Sequence, residues 1–188
     1  GYFRLDDFRG STLADASGNG AIARVHPRVA FYVDGPPGRA FSAEQPNRAI
    51  HLAGGHVEVA SETARRARTI AFWFQNGLKS PGREIVGTLL QAWGDTIVLA
   101  QSSDGDASRL RLGGTRGETA IPPRSWNHLA CVRSDDSIVV FLNGREEFRV
   151  RSARDVEASC LVGSTVDRST PPLEGRVDEI AIFSAKLT

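Results

Sequence analysis

The stretch Thr69-Ile70-Ala71-Phe72-Trp73-Phe74-Gln75 decides the fold of this chain. Successive side chains of a β-strand point to opposite faces of a sheet. The isoleucine and the two phenylalanines therefore share one face, while Ala71 and Trp73 share the other. Both faces are apolar, which is typical of a strand covered on both sides. The stretch predicts a strand at the centre of a sheet, with Trp73 in the core.

The rest of the chain shows short apolar or alternating runs that Gly, Pro, Asn, Asp and Ser interrupt. Asn143-Gly144 separates the runs Ile138–Leu142 and Glu146–Val150, and Asn-Gly in this setting is a strong signal for a β-hairpin. One helical turn is expected within Ser61–Arg68. Further strands are expected at Glu84–Leu90, Thr96–Gln101, Arg109–Leu112, Asn127–Arg133, Ser137–Leu142, Glu147–Val150, Cys160–Val162 and Val177–Phe183. The pattern predicts one all-β domain over residues 1–188, with roughly a dozen antiparallel strands.

Composition narrows the possible functions. The 188 residues include 23 basic and 22 acidic side chains, for a net charge of +1. A dedicated nucleic-acid-binding domain usually has a clear basic excess, so we expect no nucleic-acid partner. No apolar run approaches the roughly 18 residues of a membrane span, so we expect no membrane insertion by this segment. The chain contains no Met, even at position 1, and we expect it to be a piece of a longer protein.

Several segments carry a family resemblance through their order and spacing. They are Tyr2–Asp6, Asp15–Gly20, Ala49–Val59, Thr69–Phe74, Ser125–Ala130, Val140–Gly144, Leu161–Gly163 and Leu173–Leu187. Together they resemble a bacterial laminin-G-like, or concanavalin-A-like, jelly-roll domain over nearly the whole chain. The resemblance implies a two-sheet antiparallel jelly-roll sandwich, often with a structural calcium ion. Members are mostly carbohydrate-binding or protein-binding modules of extracellular or envelope proteins, and some relatives are glycoside hydrolases or polysaccharide lyases.

Asp178 is the candidate metal ligand. Strict alternation would place Ile180 and Ile182 on its face of the strand, and a bare charge on an apolar face needs compensation. Calcium could supply it, since calcium binds carboxylate and carbonyl oxygens. The resemblance places a calcium ligand at such a C-terminal Asp, with Asp6 as a second ligand from the neighbouring first strand. The alternative is that Asp178 caps a loop or pairs with an Arg.

Two arginine pairs are candidate ligand contacts. Arg109 and Arg111 alternate with leucines, and Arg149 and Arg151 alternate with Phe148 and Val150, so each pair lies on one strand face. If both strands belong to the same sheet, four guanidinium groups would form a basic patch suited to anionic polysaccharides. The alternative is an ordinary solvated sheet face.

Trp93, in the turn-like stretch Gln91–Asp95, is the candidate aromatic platform for a sugar. Sugar sites use an aromatic ring to cover the apolar face of a pyranose, and polar groups to fix the hydroxyls. The alternative is that Trp93 packs over the end of a sheet. Trp126 lies in a strand pattern and is expected in the core.

Three further motifs have simpler interpretations. His128 shares a strand face with Trp126 and is expected to be structural, because no partner ligands have a matching spacing. Asp104-Gly105-Asp106 is expected to be a hairpin loop rather than a cation site. Cys131 and Cys160 could form a disulfide if their Cα atoms came within about 7 Å, but they are expected to remain unpaired, since a domain of this size does not need a disulfide.

Motifs for nucleophilic, phosphate-binding or zinc chemistry are missing from the sequence. The acidic pairs, such as Asp178-Glu179, are adjacent and would point to opposite faces of a strand. The sequence therefore favours a non-catalytic recognition module, extracytoplasmic and part of a larger protein, that binds a glycan, anionic glycans included. A protein-interaction or structural domain without a sugar site is the alternative, and a carbohydrate-active enzyme of the same fold is the less favoured one.

Overall fold

The structure, a computed structural model, describes residues 1–38, 46–77, 84–101, 107–152 and 159–187. Within these residues it contains sixteen strands and one short helix. The strands are β1 Tyr2–Phe3, β2 Thr12–Leu13, β3 Ala23–Val25, β4 Val29–Asp34, β5 Arg48–Ala53, β6 Val57–Val59, β7 Thr69–Asn76, β8 Ile85–Ala92, β9 Asp95–Gln101, β10 Ser108–Leu112, β11 Thr115–Arg116, β12 Trp126–Arg133, β13 Ser137–Leu142, β14 Arg145–Arg151, β15 Cys160–Val162 and β16 Glu174–Phe183. The helix α1 spans Ser61–Arg66, as expected.

The strands form two antiparallel sheets. In sheet 1 the order is β14-β13-β12-β7-β16-β5-β4, with β1 also paired to β16; in sheet 2 it is β11-β10-β9-β8-β15-β6-β3-β2. The sheets pack face to face around one apolar core, so the predicted jelly-roll sandwich is confirmed. None of the described helical residues forms a helix of the length and apolarity needed to cross a bilayer.

Strand β7 lies in the middle of sheet 1, between β12 and β16. Its residues Ile70, Phe72 and Phe74 are fully buried in the core, which confirms the predicted central strand. Trp73 points the other way and is only half-buried, as is Trp126 on β12. The prediction that both tryptophans lie in the core is wrong, because the central strands of sheet 1 leave part of their outer face open.

The β13–β14 hairpin turns at Asn143 and Gly144, where both residues have positive φ, +51° and +79°. This is the backbone that an Asn-Gly turn requires. The Asn143 Oδ1 accepts a hydrogen bond from the His128 backbone N–H at 2.8 Å, and its Nδ2 donates to Asn127 Oδ1 at 2.9 Å. The turn is thereby attached to β12, in agreement with the sequence prediction.

A β-bulge in β16 changes which face Asp178 occupies. The register shifts between Asp178 and Ala181, and Glu179 has a φ of +54°. Asp178 is opposite Trp73 on the outer face, whereas Ile180 and Ile182 pack into the core. The predicted shared face is therefore wrong, because the extra residue in the bulge interrupts the alternation.

Candidate functional site

The outer face of sheet 1 carries a cluster that we call the aromatic face: Trp73, Trp126, His128, Gln75 and Arg176. Trp73 is directly opposite His128, and Gln75 is directly opposite Trp126. Arg176 on β16 is opposite Gln75. Directly opposed residues on neighbouring strands share a face with Cβ atoms about 5 Å apart, so the five side chains form one continuous surface.

The aromatic rings of this face support each other. The ring centroids of Trp73 and His128 are 5.3 Å apart, with an angle of 60° between the ring planes. This edge-to-face arrangement is favourable for aromatic pairs. Burial lowers the pKa of His128, so the imidazole is held neutral at neutral pH. The result is an uncharged aromatic surface in a fixed arrangement.

A shallow floor continues this surface. Ala181, Ala71 and Ala130 are directly opposite one another across β16, β7 and β12. Small side chains therefore border the larger rings of Trp73 and His128, and Ala71 itself is buried.

Polar groups at the border of the aromatic face are held in place. The Arg176 Nη1 donates to the Asp34 backbone carbonyl at 2.9 Å. The Gln75 Nε2 donates to the Arg124 carbonyl at 3.1 Å. Fixed donors and acceptors around an apolar surface are the elements of a small-molecule site. This arrangement can stack a ring and hydrogen-bond its substituents.

Asp178 lies in the same row as Trp73 but has no exposed surface. Its Oδ2 accepts a hydrogen bond from Asn47 Nδ2 at 2.7 Å, and its Oδ1 accepts one from the Glu179 backbone N–H at 3.0 Å. A Cβ on Gly35 would lie 3.0 Å from Asp178 Oδ2 and 2.6 Å from Asn47 Nδ2. A residue without a side chain is thus needed where the β4–β5 connection covers the carboxylate.

Desolvation raises the pKa of Asp178 to about 7, although the Asn47 hydrogen bond favours its charged form. The Asp6 carboxylate also raises that pKa, and Arg4 lowers it. Asp6 therefore lies within electrostatic reach of Asp178, and β1 pairs with β16. The two residues chosen as metal ligands belong to one region of the molecule.

The groups around Asp178 include oxygen donors of the kinds that calcium binds, although fewer than the six to eight that a calcium ion takes. Calcium takes carboxylate, amide and carbonyl oxygens in mixed sets, and here the Asn47 side chain lies beside both Asp178 and the Pro36 carbonyl. The assignment of oxygen and nitrogen in an amide follows from its neighbours, so Asn47 can turn its oxygen to a cation. Within the described residues no three His, Cys, Asp or Glu side chains cluster as metal ligands. A calcium ion would therefore depend partly on amide and carbonyl oxygens.

Trp93 is not an exposed platform. Its side chain is 2% exposed, and its indole N–H donates to the Ala67 backbone carbonyl at 3.1 Å. It occupies the β8–β9 turn with a φ of +58°, so its ring packs into the end of the core. The predicted sugar contact at this residue is wrong, because a turn position in sequence can still direct its side chain inward.

The two arginine pairs do not form one patch. Arg109 and Arg111 lie on β10 in sheet 2, whereas Arg149 and Arg151 lie on β14 in sheet 1. Each pair points away from the core, so the pairs lie on outer faces that look in opposite directions. The contacts are Arg109 with the Glu118 carbonyl, Arg111 with the Glu84 carboxylate, and Arg149 with Glu146 at 3.3 Å. The condition for a four-arginine surface is not met.

The remaining predicted positions have simple outcomes. Cys131 and Cys160 are both buried and free, one in each sheet. Desolvation raises the pKa of Cys160 to about 12 and that of Cys131 further, so both thiols stay protonated. The stretch Asp104-Gly105-Asp106 lies outside the described residues.

Trp73, Trp126 and Arg176 were missed as site residues by reasoning from the sequence. The apolar alternation of β7 suggests cover on both faces, and only the packing shows that one face stays open. A usable signal was present on β12, where Trp126 and His128 share a face. Aromatic and polar groups that alternate with core residues fit a half-exposed face better than a fully buried one.

Comparison with known proteins identifies the class. Residues 52–188 match the family model of the concanavalin A-like lectin/glucanases superfamily, so the chain belongs to this superfamily. Comparison with curated proteins finds no match. The fold is shared by lectins and by glycosidases, and a shared fold does not specify a site.

Solved structures share the architecture. The chain resembles domain 4 of AbnA, an extracellular arabinanase of Geobacillus stearothermophilus solved with arabinotriose, at 23% identity and a TM-score of 0.67, over 100% of this chain and 92% of that one. It resembles Trypanosoma rangeli sialidase at 13% identity and a TM-score of 0.65, over 100% of this chain and 31% of that one. It also resembles the binding domain of botulinum neurotoxin serotype D/C at 13% identity and a TM-score of 0.56, over 100% of this chain and 49% of that one.

Proposed function

We propose that this chain is a non-catalytic carbohydrate-recognition module and that the aromatic face is its binding surface. The observation that carries the proposal is the pair of half-exposed tryptophans, Trp73 and Trp126, on the open face of the central strands. The apolar face of a sugar ring can stack on a partly exposed indole, and apolar surface rimmed by polar residues marks interaction sites. The fixed side chains of Gln75 and Arg176 would bind the hydroxyl groups.

A non-catalytic role is supported by the acidic group next to this surface. A glycosidase needs two carboxyl groups that flank the scissile bond. Asp178, the carboxylate in the row of Trp73, is fully buried and accepts hydrogen bonds at both oxygens. It has no access to a glycosidic oxygen on the aromatic face.

The calcium ion proposed at Asp178 would have a structural role. With Asp6, Asn47 and the Pro36 carbonyl as the available oxygen donors, the ion would connect β16, the segment after β1 and the β4–β5 connection. Its charge would compensate a carboxylate that burial otherwise disfavours. This would fix the border of the aromatic face without taking part in ligand chemistry.

The proposed partner is a glycan met outside the cytoplasm, with this chain as one module of a larger protein. The arabinanase domain solved with arabinotriose supports this, because a domain of closely similar architecture accommodates an arabinose oligomer. Anionic glycans are less favoured than the sequence suggested. The arginine pairs lie on different sheets, and the described part of the aromatic face offers Arg176 as its cationic group.

Titration calorimetry with arabinotriose and with a panel of neutral and uronic-acid oligosaccharides tests the proposal. We expect Trp126→Ala to weaken binding by tenfold or more, since loss of a stacked tryptophan costs about 2 kcal/mol. Ile22→Ala removes an exposed apolar side chain elsewhere (47% exposed) and should leave the affinity unchanged. Absence of binding by the folded wild-type protein across the panel would contradict the proposal and favour a protein partner.

A further inference from the structure

A second aromatic cluster lies at β4, at the edge of sheet 1. The rings of Phe8 and Tyr32 are stacked, with centroids 3.9 Å apart and 16° between their planes. Phe8 is 72% exposed and Tyr32 is 38% exposed. Phe8 gains little from burial in this position, so the hydrophobic effect does not explain why a large apolar ring is held there.

The tyrosine is held from its other side. The guanidinium of Arg48 lies over the Tyr32 ring, 4.7 Å from its centroid, and its Nη1 is 2.6 Å from Asp34 Oδ1. Both Phe8 and Arg48 approach the ring within 5 Å, so they cover its two faces. Asp34, Arg48, Tyr32 and Phe8 therefore form one ordered stack, whose outermost ring presents a free face to solvent.

The backbone under this stack is in an unusual conformation. Tyr32 has a φ of +59°, within a register shift between Ala30 and Val33. For a bulky residue this conformation is an outlier that costs free energy, and such outliers cluster at functional sites. The Tyr32 ring at this irregularity is the one that stacks on Phe8. A regular strand would not require a positive φ at Tyr32.

The exposed polar groups beside the stack belong to the Arg48–Asp34 ion pair. The Arg48 Nε is buried, and the Arg48 side chain as a whole is 24% exposed. Next to it, the Asp34 side chain is 81% exposed and offers acceptor oxygens. The charges of this ion pair balance, so electrostatics favours neither an anionic nor a cationic ligand.

We propose that Phe8, Tyr32, Arg48 and Asp34 form a second glycan-contact site, which we call the edge platform, and that it takes a neutral sugar ring. The apolar C–H face of the ring stacks on Phe8, and its hydroxyl groups bind the Arg48–Asp34 pair. The inference rests on the proposed function and extends it, because a module with two contact sites binds an oligosaccharide rather than a single sugar.

Calorimetry with neutral oligosaccharides of arabinose, xylose, glucose, galactose and mannose, each as a trisaccharide or longer, tests the edge platform. We expect Phe8→Ala to weaken binding by at least fivefold and Phe8→Trp to retain it, because the larger ring keeps the stacking face. Val166→Ala, which removes another exposed side chain (66% exposed), should have no effect. The affinity should change less than twofold between 50 and 500 mM NaCl, since a neutral ligand releases no counterions.

Three other results would overturn the edge platform, and one of them would also overturn the proposed function. If wild-type protein binds an oligosaccharide and Phe8→Ala binds it equally well, the edge platform is wrong and the proposed function stands. If the folded wild-type protein binds none of them, both are wrong. If Phe8→Ala converts a dimer to a monomer in sedimentation velocity without changing the affinity, a second copy of the chain covers Phe8, and the sugar assignment is overturned.

Discussion

Substitution of Asp178 by Asn should remove a large pH dependence from the stability of the metal-free protein. Burial raises the pKa of this carboxyl from its ordinary value of 3.8 to about 7. The folded state therefore holds a proton that the unfolded state releases, so stability is fully present below about pH 4 and is lost as the pH rises through 7. The substitution keeps the size of the side chain and removes its titration.

The magnitude follows from the shift. One pKa unit corresponds to about 1.36 kcal/mol, so the full rise amounts to about 4 kcal/mol. The larger part, about 2.7 kcal/mol, falls between pH 5 and pH 8, because the unfolded state is already ionised at pH 5. Wild type should therefore lose about 2.7 kcal/mol of unfolding free energy between pH 5 and pH 8 through Asp178. Asp178→Asn should not lose this amount, so its stability relative to wild type should be higher at pH 8 than at pH 5.

Urea denaturation at pH 5 and pH 8 in the presence of a chelator measures this difference. Asp136→Asn is the matched control, because it makes the same change at an exposed carboxyl. Glu179 is not suitable, since burial also raises the pKa of this carboxyl to about 7. Equal pH dependence in wild type and Asp178→Asn would refute the reasoning that a desolvated carboxylate is responsible. Added calcium should stabilise wild type at pH 8 and leave Asp178→Asn unchanged, if the proposed calcium role is correct.

Three further predictions concern the core and the turns. Trp93→Phe removes the donor to the Ala67 carbonyl and should destabilise the protein by about 1–3 kcal/mol in urea denaturation without changing glycan affinity; unchanged stability would argue against the buried hydrogen bond. Asn143→Ala removes two hydrogen bonds to β12 and should cost about 1–3 kcal/mol, with part of the loss recovered in Asn143→Gly, which accepts positive φ. Cys131 and Cys160 should not react with a thiol reagent in the native protein but should react in denaturant, and rapid reaction of the native protein would contradict their burial.

Much of the fold could be predicted because local patterns are strong in this chain. The apolar alternation of Thr69–Gln75 and the Asn143-Gly144 turn each require one backbone conformation, and the structure has both. The prediction failed at Asp178, where the bulge inserts an extra residue into β16. Alternation assumes an uninterrupted ladder, and nothing in the local sequence marks the interruption.

The candidate sites were harder to predict, because exposure depends on distant parts of the chain. Trp93 lies in a turn and is buried, whereas Trp73 lies in a central strand and is half-exposed. The difference arises from which elements cover each ring. The arginine pairs were difficult to place for the same reason. The two-residue alternation of a strand puts each pair on one strand face, but it does not say which sheet the strand joins.

The sequence by itself determined the all-β class, the central strand and the hairpin turn, because each depends on residues close together in the chain. It also determined the superfamily, through the order and spacing of motifs along the chain. Only the tertiary structure decided that Trp73, Trp126 and Arg176 share an open face, and that Phe8 stacks on Tyr32. These groups come from segments far apart in sequence, and their proximity is set by strand order and register. Both proposed glycan contacts therefore depend on the packing of the two sheets.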